Sequence, residues 1–179
     1  MPSDPTSREF RDSVGMFTTG ITVVTAVSER EIAAMRRAAD AAPGPLSALA
    51  AAIATFAARA LAGRRLAWAV LAEPVDPEFA AVRIAYRRGL AAEIAARIAA
   101  AISARHLSQQ DAAIAAPALV GALIEGLVGP LAPDLPDDAG KTREAAQMLT
   151  LLALRALGVV DARARGLVVQ APLTGAAAE

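Results

Sequence analysis

The chain has no cysteine, one histidine, one tryptophan and one tyrosine, and aromatic residues make up only 3% of its 179 positions. Without cysteine it can form neither a disulfide nor a thiolate metal site. The single histidine, His106, has no imidazole or carboxylate partner at ligand spacing. It reads as a surface or helix-capping residue beside Arg105, and no metal is implied. Ser13, Ser28, Ser47, Ser103 and Ser108 lack a histidine-based triad context. No nucleophile–base pair can be assembled, so the sequence points to no catalytic residue, no enzyme and no cofactor. A charge surplus is missing too: 18 basic and 18 acidic side chains give a formal net charge of zero. Duplex-DNA binders usually present a basic face to phosphate, and the chain as a whole lacks that excess. Walker loops, GxGxxG, heptads and fixed-period repeats are absent as well.

Long membrane-type runs are also wanting. Residues 41–58 carry no charge but are mostly alanine and contain Pro43-Gly44-Pro45. Residues 112–133 carry only Glu125 but are interrupted by Pro117, Gly121, Gly126, Gly129, Pro130 and Pro133. Both read as buried helices at a protein–protein interface rather than as leucine-rich spans, so no membrane partner is expected. Asp4, Arg8, Glu9, Arg11 and Asp12 precede any apolar run, which argues against a secretory signal and for a cytoplasmic location.

What is abundant is small apolar mass. Hydrophobic residues make up 55%, chiefly alanine, leucine, isoleucine and valine. Alanine loses no side-chain entropy in a helix, so the composition predicts helices packed closely through small residues. The pattern predicts an all-α fold of about six helices, with one possible strand in a short N-terminal segment. Phe10, Val14 and Phe17 suggest a short helix over 8–17, broken by Thr18-Thr19-Gly20. Ile21-Thr22-Val23-Val24-Thr25 is β-branched throughout and reads as a strand. Ser28-Glu29-Arg30-Glu31 has the form of a capping box and predicts a helix from 28 to about 41.

Further helices are expected over 46–62, closed by Gly63, and over 65–72. Another runs from 77 to 104 behind Asp76-Pro77, with Phe79, Val82, Tyr86, Leu90, Ile94, Ile98 and Ile102 on one face. Ser108-Gln109-Gln110-Asp111 suggests a cap for a helix over 109–128, and a last helix spans 141–157 before Gly158. The segments divide as 1–27, 28–158 and a mobile or loosely docked tail over 159–179.

Two resemblances meet near residue 27. The run Arg64-Arg65-Leu66-Ala67-Trp68-Ala69-Val70-Leu71-Ala72-Glu73-Pro74-Val75-Asp76-Pro77, with the helix order over 28–157, resembles the effector-binding and dimerisation domain of TetR-type transcriptional regulators. The resemblance implies a small, largely apolar effector held among the central helices. It also implies a homodimer formed by the helices at 109–128 and 141–157. Phe56, Trp68, Phe79, Arg83 and Tyr86 are then the pocket candidates. Taken singly, each of these aromatics reads first as plain core and Arg83 as a solvated charge; as a group they are the best pocket candidates.

The implied dimer face is Ala115, Ala118, Leu119, Ala122, Leu123, Gly126, Met148, Leu151, Leu152 and Leu154. TetR-type proteins carry a helix-turn-helix ahead of this domain, and Met1 to Ala26 do not resemble one. Direct DNA binding is therefore not expected, and a headless partner of an intact paralogue is an alternative role. Phe10-Arg11, Gly15, Phe17, Thr19-Gly20 and Thr22-Val23-Val24-Thr25 instead resemble the start of the flavin-reductase-like, FMN-binding split-barrel family. That resemblance implies a first strand and, as a weaker alternative, a flavin-dependent reductase fragment.

Overall fold

Alanine-rich stripes repeating every three to four residues become seven helices in the computed structural model, which describes residues 7–73, 77–135 and 138–171. They are α1 (Ser7–Asp40), α2 (Pro45–Ala62), α3 (Arg64–Leu71), α4 (Pro77–Ser103), α5 (Ala112–Leu127), α6 (Ala139–Ala156) and α7 (Asp161–Gln170). The fold is all-α, and no strand occurs among the described residues.

α2 is the axis of the bundle. Leu49, Ala50, Ala52, Ile53 and Ala57 are fully buried, and α1, α4 and α6 pack around it. Its length and composition would suffice to cross a membrane, but 78% of it is buried inside the protein, as befits a core helix. α4 supplies Tyr86, Leu90, Ile94 and Ile98 to the same core, the stripe expected from its period. Asp76, the expected cap of α4, lies outside the described residues.

The N-terminal third departs from expectation. Residues 21–25 are not a strand, and Thr18-Thr19-Gly20 does not end a helix, because α1 runs unbroken from Ser7 to Asp40. β-branched residues lose only a few tenths of a kcal/mol in a helix, and a packed face overrides that. Here Ile21, Val24 and Val27 fall at helical spacing, are half-buried, and lead into Met35 and Ala39 in the core. Thr25 Oγ1 donates to the Ile21 carbonyl one turn back at 3.0 Å, which satisfies its hydroxyl within the helix. Gly20 serves close packing: a Cβ there would lie 2.6 Å from the Phe79 ring of α4. The Ser28 capping box is not formed, since Ser28 is interior to α1 and Glu31 turns to Arg59.

Two other ends differ from the sequence reading. α5 begins at Ala112, not 109, because Asp111 is itself the cap and accepts from Ala113 N–H at 2.8 Å. The tail expected to be mobile or loosely docked instead forms α7 over Asp161–Gln170, with Ala164, Leu167 and Val168 buried.

α4 and α6 finish in the same way. After α4, His106 N–H reaches the Ala101 carbonyl and Arg105 N–H the Ile102 carbonyl; after α6, Val159 reaches Leu154 and Gly158 reaches Arg155. Both are Schellman ends, which place one residue in the left-handed region. Gly158 fills it at φ 85°, but Arg105 does so at φ 59° with a side chain attached. Replacing Arg105 by glycine is expected to raise stability by up to about 1 kcal/mol, read as a higher urea midpoint at unchanged slope.

Candidate effector cavity

α2 carries one charge in eighteen residues, Arg59, and that charge organises the cavity. A guanidinium on a buried helix needs a carboxylate nearby. Glu31 of α1 provides it, accepting from Arg59 Nε at 2.5 Å and from Nη2 at 3.0 Å. The side chains are 17% and 13% exposed, so the pair is largely withdrawn from water. Arg30 adds a second guanidinium on the same carboxylate, at 3.2 Å.

Beside this cluster α1, α2, α3 and α4 leave a cavity of about 100 Å³. Its apolar wall includes Val27, Phe56, Leu66, Val70 and Leu71, and its polar side Arg30, Glu31, Arg59 and Tyr86. Tyr86 reaches in from α4 and is only 2% exposed. Burial pushes its pKa well above the ordinary 10, with a further upward push from the Glu31 charge. The phenol therefore stays protonated and can donate throughout the working pH range.

Two of the five pocket candidates meet at this cavity, Phe56 and Tyr86. Trp68 does not: it is 39% exposed on the outer side of α3, beside Arg64, Arg65 and Pro130 in an open surface cleft. Phe79 is half-buried against Gly20 of α1. Arg83 is neither a pocket residue nor a solvated charge. Its Nε donates to the Val70 carbonyl and its Nη2 to the Ala69 carbonyl, both at 3.2 Å, while Arg87 donates to the Leu71 carbonyl. The last carbonyls of a helix lack intrahelical donors and carry partial negative charge, so two guanidiniums from α4 cap the eight-residue α3. Arg83 thus fixes the wall of the cavity from behind.

Glu31, Arg30 and Arg59 were not among the sequence candidates. The signal that could have found Arg59 is its solitude in an otherwise uncharged helix. Glu31 was hidden by its fit to a capping box.

A second ionic cluster joins α1 to α4. Arg36 and Arg97 both hold the buried Glu93, at 2.9 and 2.8 Å, and Arg97 also reaches Asp40 at 3.0 Å. Every group in it is paired, so it reads as a fastening rather than a site. No trio of metal-ligating side chains occurs among the described residues.

The expected dimer face is divided by the structure. Leu119, Leu123 and Leu154 are buried in the chain's own core. Gly126 faces Leu149 of the same chain, 2.8 Å from where a Cβ would stand. Ala115 and Leu151 are half-buried, while Ala118, Ala122, Met148 and Leu152 are exposed, the last two at 64% and 57%.

No family model matches the chain, and neither a curated protein nor a solved structure is significantly similar to it.

Proposed function

We propose that the chain is the ligand-sensing and dimerisation domain of a TetR-type transcriptional regulator. The observation that carries this reading is the bare outer face of α5 and α6. Ile114, Pro117, Ala118, Gly121 and Ala122 stand exposed on α5 at three- and four-residue spacing, without a charge among them, and Met148 and Leu152 stand exposed on α6. Exposed apolar faces of this kind mark interaction sites. Gly121 sharpens the point. A Cβ there would meet nothing within 4 Å among the described residues, so none of them requires a glycine at this position. An exposed glycine inside a helix costs about 1 kcal/mol relative to alanine. A second helix lying directly on the backbone at Gly121 would offset that cost. The cavity, on the α1–α4 side of the bundle, then takes the effector.

The native absence of cysteine permits a clean test. Gly121→Cys is expected to form a covalent dimer under mild oxidation, because residues facing each other across a two-fold axis can come within disulfide reach. Arg88→Cys, on the exposed side of α4, should remain monomeric on a non-reducing gel. Equal cross-linking of both variants would remove the support for this face.

Residues 7–40 form one continuous helix rather than two helices joined by a turn, and the net charge is zero. Both observations support the view that this chain does not read an operator. Gel shifts with DNA from its own locus should show no tight, salt-resistant complex.

A further inference from the structure

We propose that a second cavity, where α7 lies beside the turn between α1 and α2, takes a small neutral molecule with an alkyl body and one hydroxyl, such as a medium-chain alcohol. This cavity shares no residue with the one at Phe56 and Tyr86. The first observation is its size, about 280 Å³. An apolar cavity of roughly 150 Å³ holds benzene, so this one has room for about ten non-hydrogen atoms. Its walls include Ala38 of α1, Ala42 of the turn, Ala51 of α2 and Leu167 of α7. Alanine leaves the space between the helices unfilled, and unfilled apolar space costs stability in proportion to its volume. A bound alkyl chain would recover that cost.

The second observation is the order of the walls from floor to rim. Ala51 and Leu167 are 1% and 9% exposed, whereas Ala41, Pro43 and Gln170 stand exposed at the mouth. No charged side chain lines the cavity among the described residues. An ion entering it would lose water without gaining a counter-charge, which selects a neutral ligand. The polar side chains on the wall are Ser47, half-buried, and Gln170. A hydroxyl and a carboxamide each donate and accept, as does an alcohol, so the apolar body points to Ala51 and the alcohol hydroxyl to the mouth.

The third observation is how α7 is attached. Asp161 at its start pairs with Arg155 of α6 and with Arg165. The far end, at Leu167, Gln170 and Ala171, borders the cavity instead. A molecule held between Leu167, Ala38 and Ala51 would fasten that end to the α1–α2 hairpin. Terminal helices open locally at low cost, so occupancy should slow hydrogen exchange in α7.

The test uses the full-length chain, with 1-hexanol and hexanoate at pH 7 as probes in ligand-observed and amide-detected NMR. Hexanol should bind at least about tenfold more tightly than hexanoate, shift the amides of Ala38, Ala51 and Leu167, and slow exchange in α7. Ala51→Leu should weaken hexanol at least about tenfold and raise the unfolding midpoint, because the leucine fills the same space. Ala38→Leu fills it from α1 and gives the same reading if Ala51→Leu does not fold. Absence of hexanol binding at millimolar concentration would overturn the inference, as would equal binding of hexanoate or undiminished binding by the filled variants. Amide shifts confined to the surroundings of Phe56 and Tyr86 would place the alcohol in the other cavity and overturn it too. Each of these results would leave the ligand-sensing reading of the Phe56–Tyr86 cavity standing.

Discussion

Replacing Arg59 by methionine is expected to destabilise the protein by about 3 kcal/mol. The reason is an asymmetry in what is left behind. Methionine fills much of the same volume on α2, so little packing is lost. Glu31, however, keeps its charge at 13% side-chain exposure and loses both short hydrogen bonds from the guanidinium. Breaking a buried pair from one side typically costs about 3–5 kcal/mol, because the remaining charge is uncompensated. The lower part of that range applies here, since Arg30 remains at 3.2 Å from the carboxylate. Removing both partners, as Glu31→Leu with Arg59→Met, should recover most of the loss, because apolar replacement of a buried pair is often neutral. Urea unfolding of the two single variants and the double variant forms a complete cycle. A single-variant cost below about 1 kcal/mol would mean that water screens the pair as it does at an open surface.

The long apolar periods were legible from sequence. α2, α3, α4 and α6 begin and end within two residues of expectation, because each combines a 3.6-residue stripe with its own punctuation: Pro45, Gly63, Pro77 or Gly158. α1 was not legible. Local propensity at Ile21-Thr22-Val23-Val24-Thr25 favours a strand, but a strand needs a partner, and the described residues supply none. Burial of one face of that run against α2 and α4 decides the matter, and that is tertiary information.

The site divides along the same line. Phe56 and Tyr86 announced themselves as rare aromatics on apolar stripes. Glu31 could not be placed, because its role depends on Arg59, 28 residues away, crossing from the next helix. Arg83 shows the reverse error: a polar residue near a pocket can be there to cap a neighbouring helix.

The second large effect concerns the α5–α6 face. Ala122→Arg should convert a dimer to a monomer, weakening association by at least about a thousandfold. Ala122 is exposed beside Gly121, where the closest approach of two helices is proposed. In the proposed dimer an arginine there must be desolvated without a partner, and its two copies would meet across the two-fold axis, so that like charges face each other. The core should be untouched, because the side chain points out of the chain in the monomer. The unfolding of the variant should therefore stay cooperative, with the concentration dependence of its midpoint abolished.

The unmodified chain tests the central claim most directly. Sedimentation equilibrium at micromolar concentration is predicted to give a species of twice the chain mass, with Ala122→Arg giving the single-chain mass under the same conditions. A single-chain mass for the unmodified protein would contradict the account, because the bare face of α5 and α6 would then have no second copy to cover it.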